Sequence, residues 1–330
     1  MKNGLRYVDD AEQGYTRRRC GKDWGYFEED GTRVTKREEI QRLNSLALPP
    51  AYTKTWFCRD PAGHLQATGY DARGRKQYRY HPDYRTHRDA QKFARLADFG
   101  RALPKLRARV LRDLKKRKLD KSKVVAAVIR LLDGGQVRVG NECYAQENDS
   151  YGATTLRNRH VRLNGHTVAL RFKGKSGKMH NLKMSDRLLA SAVKRCQDLP
   201  GQRLFTYIGE DGEVHPVTSG DVNAYIHGAL DADYSAKHFR TWGASVIALD
   251  VILQAETPVS TKVVLEPVSV VLGNTPAIAR SAYVHPALLE LASNPALRKR
   301  LKLPMRRATK HMSATERTLV DLLASLPKSR

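Results

Sequence analysis

The chain has 330 residues, 41% of them apolar, which is enough for two compact domains and excludes a small scaffold held together by disulfides. It carries 59 Lys and Arg against 34 Asp and Glu, a formal net charge of +25 spread along its length, and such a field attracts polyanions, nucleic acid first. The four cysteines show no paired spacing, which argues against a zinc ribbon and agrees with a reducing cytosol.

Short β-type segments and turn signals alternate between residues 7 and 80. A hairpin is predicted over Trp24 to Val34 around the dipeptide D-G at 30–31, and a helix over Thr35 to Leu46. From about His87 the pattern changes to helices rich in Lys and Arg. We therefore predict an α+β protein with a small sheet-rich domain at 1–86 and a larger, mostly α-helical domain at 87–330. No segment predicts export or membrane insertion.

One β-rich insert interrupts the helical part. The dipeptide N-G at 164–165 is a type I′ turn signal, apolar residues at 168, 170 and 172 alternate with period two, and G-K-S-G at 174–177 marks a second turn. A three-stranded meander is predicted, with Lys175 at a hairpin tip. The G-K-S triplet is not a phosphate loop, because the glycine that such a loop needs is replaced by Ala169.

Two helices follow that carry polar residues of interest. Apolar spacing from Lys237 to Leu253 predicts a helix that aims Arg240 away from the core, free to meet a ligand. A second, short helix is expected from Pro276 to Val284, with Thr275 as its N-cap. Tyr283 would then lie at the end of that helix with an exposed hydroxyl. The box S-A-T-E at 313–316 predicts a final packed helix.

The chemistry open to these residues does not include an obvious metal centre. The sequence has no H-E-x-x-H and no dinucleotide fingerprint, and its grouped carboxylates, such as G-E-D-G-E at 209–213, are typical of solvated turns. Attack by a tyrosine on a phosphodiester without a metal needs guanidinium groups on the nonbridging oxygens, where charge develops. Arginine suits this role because it is always charged and donates in a bidentate fashion.

Five strings in order carry a family resemblance: G-Q-V-R-V-G-N-E-C-Y at 135–144, N-D-S-Y-G-A-T-T-L-R-N-R-H-V at 148–161, F-K-G-K at 172–175, K-H-F-R-T-W at 237–242 and L-G-N-T-P-A-I-A-R-S-A-Y at 272–283. Together they resemble the type IB DNA topoisomerases, specifically the small poxvirus-like enzymes found in bacteria. The stretch at 63–81 is similar to the N-terminal domain of the same family. The resemblance covers nearly the whole chain.

The resemblance implies a role for each matched position. Tyr283 would be the nucleophile that forms a 3′-phosphotyrosyl bond, Arg138 and Arg240 would clamp the phosphate, and Lys175 would protonate the leaving 5′ oxygen. Asn274 stands where the poxvirus enzymes carry histidine. An asparagine can donate a hydrogen bond to a nonbridging oxygen but cannot hold a positive charge, so a donor role is expected.

Residues that contact DNA are predicted in both domains. In R-G-R-K-Q-Y-R-Y, basic groups alternate with aromatic rings and an amide, which suits mixed phosphate and groove contacts, although an ordinary strand with one wet face has the same pattern. The predicted DNA-binding residues are Arg73, Arg75, Lys76, Gln77, Tyr78, Tyr80, Asn141, Tyr144 and Lys237.

The resulting hypothesis is a monomeric, cytoplasmic, nucleoid-associated enzyme that relaxes supercoiled duplex DNA with no ATP, metal, other cofactor or obligate protein partner. A tyrosine recombinase is one alternative, because it uses the same nucleophile and arginine clamp. Against it, the chain has K-x-x-R at 237–240 where recombinases typically show H-x-x-R. A non-enzymatic basic protein that binds DNA or RNA is the other, and its binding would weaken steeply with salt.

Overall fold

The structure, a computed structural model, describes residues 4–294, 296–297 and 306–326, without the side chains of residues 89, 143 and 144. The chain divides into two compact units, Met1–Lys92 and Phe93–Arg330. The predicted boundary after residue 86 lies inside helix α2 (Pro82–Ala94), six residues before the division. No helix within the described ranges is long and apolar enough to cross a membrane.

The first unit is a five-stranded antiparallel sheet with one packed helix. Its strands are β1 (Gly14–Cys20), β2 (Asp23–Phe27), β3 (Thr53–Cys58), β4 (Leu65–Tyr70) and β5 (Lys76–Tyr80), in the spatial order β2-β1-β3-β4-β5. Helix α1 (Arg37–Ser45) packs Leu43 into a small core with Tyr26 and Phe57. Strand β5 is therefore an edge strand.

The predicted hairpin over residues 24–34 is only partly correct. The turn at Gly31, with a φ of 89°, forms, but it leads into a single bridge between Phe27 and Arg33. The longer hairpin joins β1 to β2 instead, through Gly21 at a φ of 64°. A second strand after Gly31 has no room, because the chain enters α1 at Arg37.

The second unit is mostly helical and contains the predicted meander. Its strands are β6 (Val161–Asn164), β7 (Thr167–Lys173), β8 (Met179–Ser185), β9 (Thr206–Ile208) and β10 (Val214–Pro216). Its helices are α3 (Leu96–Leu114), α4 (Lys121–Gly135), α5 (Glu142–Asn148), α6 (Arg187–Gln197), α7 (Ser219–Leu230), α8 (Lys237–Gln254), α9 (Thr261–Leu272), α10 (Pro276–Ala282), α11 (Pro286–Ser293) and α12 (Ala314–Ser325). Strands β6, β7 and β8 are adjacent in that order, as predicted.

Helix α4 is the central element of this unit. It is buried on nearly all sides and packs against α3, α6, α7 and α8, which explains why its sequence is apolar all round. Asp120 caps its start by accepting a hydrogen bond from the Lys123 N–H at 2.9 Å. Its C-terminal end, at Gly135, is where the candidate site begins.

A charged network fixes the last helix to this core. Arg107 on α3 donates to the carboxylates of Asp133 on α4 and Glu316 on α12, at distances of 2.6 to 2.9 Å. The indole N–H of Trp242 on α8 also donates to Glu316, at 3.0 Å. Glu316 belongs to the capping box predicted from the sequence, and the box forms with Ser313. The network thus joins α3, α4, α8 and α12.

Candidate active site

Arg138 is held in place by a close approach of two backbone segments. After α4 the chain turns at Gln136, which has a left-handed φ of 52°, and continues without regular secondary structure to Gly140. The carbonyl oxygen of Arg138 accepts the Ala153 N–H at 2.8 Å. Gly140 and Gly152 lie so close that a Cβ on Gly152 would be 2.5 Å from Gly140 Cα. Two of the strings singled out in the sequence are therefore neighbours in space.

Arg240 is buried, and the prediction that it points away from the core is wrong. It lies in the first turn of α8 with 4% of its surface exposed. Its guanidinium donates to the carbonyl oxygen of Gln136 and, at 2.9 Å, to that of Leu272. These carbonyls belong to the C-terminal ends of α4 and α9, where helices leave acceptors unpaired and favour a cation. Helical periodicity along α8 alone gives no sign of these two neighbours.

The position of Gln136 is itself supported by α8. Its side-chain amide donates to the Asp133 carbonyl at 2.6 Å and packs against Gly243, which has no room for a Cβ. Gly243 lies three residues beyond Arg240 on the same helix. The fit of Gln136 against Gly243 therefore keeps an acceptor in front of the Arg240 guanidinium. Gln136 was not among the site residues predicted from the sequence.

Tyr283 is the C-cap of α10, and its backbone is held from two sides. Thr275 caps the start of α10 as predicted, accepting the Ile278 N–H at 3.3 Å, and the helix ends at Ala282, two residues earlier than predicted. The Tyr283 N–H donates to Ala279 at 3.1 Å. Ser245 on α8, which the sequence analysis missed, donates through its hydroxyl to the Tyr283 carbonyl at 3.4 Å. Tyr283 is partly buried rather than freely exposed.

Asn274 and Arg240 each present a buried hydrogen-bond donor that has no partner in the part of the chain that the structure describes. Arg138 Nη2 donates to Asn274 Oδ1 at 3.0 Å, which leaves the Asn274 amide nitrogen as a donor. Among the described residues, Asn274 Nδ2 and Arg240 Nε are buried without a hydrogen-bond partner. Unpaired buried donors are costly in a folded protein unless a ligand completes them. Beside two cations, that ligand would be an anion.

The electrostatics of the site make Tyr283 easier to ionise. Burial alone would raise the pKa of the Tyr283 hydroxyl, but Arg240 and then Arg138 outweigh it and hold the pKa below its ordinary value of 10.0. The Arg240 guanidinium carbon lies 5.0 Å from the centre of the Tyr283 ring. Burial and repulsion by Arg138 lower the pKa of Arg240 to about 10, so this guanidinium stays charged at neutral pH.

Lys175 lies at the tip of the β7–β8 turn, as predicted, but it does not contact the other four residues. Its side chain is exposed and, within the described part of the chain, has no hydrogen bond or ion pair. The turn itself is tightly shaped. The Gly174 N–H donates to the Lys178 carbonyl at 2.7 Å, and Ser176 has a left-handed φ of 63°.

His180 is a site residue that the sequence analysis missed. It lies on β8 directly across from Phe172, and the two rings stack at 5.1 Å with an interplanar angle of 14°. Its imidazole contacts Gly174, just before Lys175, and Gly273, just before Asn274. Alternation along β8 is the signal that could have found it, since His180 shares a face with Leu182 and Met184.

The residues of the first unit that are predicted to contact DNA lie on edge strand β5 and in the turn before it. Tyr78 and Tyr80 are exposed and stack on each other at 6.0 Å, and Arg73 is exposed in the preceding turn. Arg75 and Gln77 both bond to Asp71, and Lys76 pairs with Asp10. The strand and the turn before it therefore present two aromatic rings and three polar groups that are paired with Asp71 or Asp10.

Three residues of the second unit are predicted to contact DNA, and the structure describes the side chains of two of them. Asn141 is exposed at the start of α5, and Lys237 is exposed at the start of α8, three residues before Arg240. The side chain of Tyr144 lies outside the described residues. Among those residues, no group of three or more His, Cys, Asp and Glu is arranged to hold a metal ion.

The chain matches two families of known proteins. The family described as "Eukaryotic DNA topoisomerase I, catalytic core" matches residues 81–283, and "Bacterial DNA topoisomerase IB, N-terminal domain" matches residues 23–71. The chain is 33% identical to DNA topoisomerase 1B of Acanthamoeba polyphaga mimivirus over 296 residues, which cover 86% of this chain and 88% of the relative. It is 22% identical to DNA topoisomerase 1B of Vaccinia virus (strain Copenhagen) over 254 residues, which cover 74% of this chain and 76% of the relative.

Among solved structures, a XerH site-specific recombinase bound to its difH substrate in a pre-cleavage complex aligns with 62% of this chain and 52% of its own. The identity is 16% and the TM-score is 0.32, a level of similarity that carries no argument about fold or function.

Proposed function

The chain belongs to the type IB DNA topoisomerase family, and from that premise we propose that it relaxes supercoiled duplex DNA by cutting and resealing one strand through Tyr283. The observation that carries this proposal is the pair of unpartnered donors, Asn274 Nδ2 and Arg240 Nε, beside a tyrosine whose pKa is lowered. A phosphodiester would supply the acceptors that both donors lack.

The proposed reaction is a transesterification at phosphorus. The Tyr283 hydroxyl gives up its proton to solvent, and its oxygen attacks phosphorus, forming a 3′-phosphotyrosyl bond while the bond from phosphorus to the 5′ oxygen breaks. Arg138, Arg240 and Asn274 donate to the nonbridging oxygens, where negative charge builds up. Lys175 gives a proton to the leaving 5′ oxygen, since an alkoxide is a poor leaving group. Resealing is the reverse reaction.

The free strand rotates between cleavage and resealing. The energy of the broken bond is kept in the phosphotyrosine, and supercoiling drives the rotation, so we propose that neither ATP nor a divalent metal is required. The net charge of +25 supports binding to the DNA backbone, and the exposed rings of Tyr78 and Tyr80 support groove contacts by β5. We further propose that the enzyme acts as a monomer on nucleoid DNA.

A plasmid assay tests this proposal. Supercoiled plasmid is incubated in EDTA without ATP with the wild type, with Tyr283→Phe and with Tyr207→Phe, a control on β9 away from the site. Relaxation by the wild type and the control, but not by Tyr283→Phe, is the expected result. Binding without relaxation by the wild type would overturn the proposal in favour of a basic DNA-binding protein or of a recombinase that needs its own DNA site.

A further inference from the structure

We infer that His180 is a positioning residue that holds the Lys175 turn against the Asn274 turn, so that the Lys175 amino group reaches the leaving 5′ oxygen. The inference rests on the proposed function, because it assigns Lys175 the role of proton donor. It concerns a residue that would touch neither the DNA nor the reacting atoms.

The imidazole of His180 is wedged between two glycines. A Cβ placed on Gly174 would lie 2.5 Å from His180 Cδ2 and 2.6 Å from Nε2, and one placed on Gly273 would lie 2.8 Å from Cε1. Real Cβ atoms do not approach other atoms so closely, so both glycines are needed to seat the ring. Each glycine directly precedes a residue of the site, Lys175 in one turn and Asn274 in the other. The ring therefore fixes the separation of the two turns.

Strand β8 anchors that ring to the rest of the site. His180, Leu182 and Met184 alternate along β8 and face inward. Leu182 and Met184 lie against Gly135 and Gly134 at the end of α4, where neither glycine has room for a Cβ. The same end of α4 leads into Arg138. The meander is thus packed on the element that delivers the clamping arginine, with His180 at its outer end.

The surroundings keep His180 uncharged. Burial is the largest effect, and the charged groups facing it are Arg240, Arg138 and Lys178, all of which lower its pKa below 6.5. A neutral ring can pack against the two glycine turns without repelling the arginines. Lys175 itself has no partner among the described residues, so the backbone of its turn and the packing of His180 are what aim its side chain.

The test compares two leaving groups in single-turnover cleavage of a duplex. One substrate has the ordinary 5′ oxygen at the scissile phosphate, and the other has a 5′ sulfur there. A thiolate leaves without being protonated because thiols are far more acidic than alcohols, so the sulfur substrate does not need the proton donor. Lys175→Ala serves as the reference for a lost donor, and Arg138→Ala serves as the reference for a lost phosphate contact.

His180→Ala is expected to slow cleavage of the oxygen substrate about 10²-fold, the scale set by small misplacements of a reacting group. On the sulfur substrate it should cleave close to the wild-type rate, as Lys175→Ala should, whereas Arg138→Ala should stay slow on both. Recovery on sulfur also shows that the variant is folded. Gly174→Ala, which pushes the ring from the other side, is expected to show the same selective loss.

Two results would overturn the inference. One is an equal loss on both substrates by His180→Ala and Gly174→Ala, which would place the defect at the phosphate contacts or in the fold. The other is an unchanged rate on oxygen. Failure of the proposed function is a separate outcome, because the wild type would then cleave neither substrate.

Discussion

The guanidinium of Arg240 lies over the ring of Tyr283, 5.0 Å from its centre, and one helix positions both residues. Arg240 is in the first turn of α8, and Ser245, five residues later on the same helix, donates to the Tyr283 carbonyl. The Ser245 hydroxyl also accepts the His285 N–H at 3.1 Å. A shift of α8 would therefore displace the cation and the backbone of the tyrosine together.

Replacing Arg240 should damage both the reaction and the fold. In Arg240→Ala the carbonyls of Gln136 and Leu272 lose their donor, so the free energy of unfolding should fall by about 2 kcal/mol. Cleavage should also slow by about 10²- to 10³-fold, which corresponds to losing one transition-state donor. Single-turnover cleavage and urea denaturation measure the two effects.

Arg138→Ala is the matched control for that experiment. The Arg138 side chain is half-buried, and its hydrogen bond among the described residues goes to Asn274, so it caps no helix. We expect a similar loss of cleavage rate with little change in stability. Wild-type cleavage by Arg240→Ala would contradict the clamp, and equal destabilisation by both variants would contradict the capping role of Arg240.

Asn274 should act through its amide nitrogen. Asn274→Asp keeps the shape of the side chain but replaces the unpartnered N–H donor with a carboxylate oxygen, which also repels the phosphate. Cleavage should slow by about 10²-fold or more. Asn274→His, the residue of the poxvirus pattern, restores a ring N–H and should retain most of the activity. If the Asp variant cleaves as fast as the His variant, Asn274 is not a donor to the phosphate.

Much of the fold could be predicted because the signals are local. The N-G dipeptide and alternation predicted the meander, and the T-P pair and the capping box predicted the starts of α10 and α12. The hairpin after Gly31 was misplaced because turn chemistry does not say how soon the next helix begins. Local sequence patterns carry information only about residues that are close together along the chain.

The site could be predicted from the sequence less well, for the same reason. Helical spacing separated the apolar face of α8 from its polar residues, but the ends of α4 and α9 converge on Arg240 from distant parts of the chain and bury it. The roles of His180, Gln136 and Ser245 depend equally on contacts between separate elements. Among these three residues, His180 is the one with a signal in the sequence, the alternation along β8.

The pH dependence of cleavage should report the lowered pKa of Tyr283. The rate should rise as the phenol ionises, with a midpoint below pH 10.0, the ordinary pKa of a tyrosine, because Arg240 and Arg138 outweigh burial. Removing a cation raises a phenol pKa, so Arg240→Gln should move the midpoint upward. Single-turnover rates across pH measure it. A midpoint that stays in place in the variant would contradict the electrostatic account.

Glu316 should stabilise the helical unit in a pH-dependent way. Burial raises its pKa, but Arg107 and the indole N–H of Trp242 outweigh this and hold the folded pKa below the ordinary 4.5. A lowered folded pKa gives stability that is fully present above 4.5 and lost as pH falls through the folded pKa.

Glu316→Gln should therefore cost about 3 kcal/mol of unfolding free energy at neutral pH. The difference in unfolding free energy between the variant and the wild type should narrow as the pH falls below 4.5. Urea titrations at several pH values test this, and a gap that does not change with pH would contradict the ion-pair explanation.

The most direct test of the account is to identify the covalent link between protein and DNA. A duplex labelled at the 5′ end of the scissile strand is mixed with the enzyme in EDTA, quenched with SDS and digested with trypsin. The label should appear on the peptide that begins at Ser281, whose only tyrosine is Tyr283. A link to another residue, a link to the fragment labelled at its 3′ end, or no link at all would contradict the central claim.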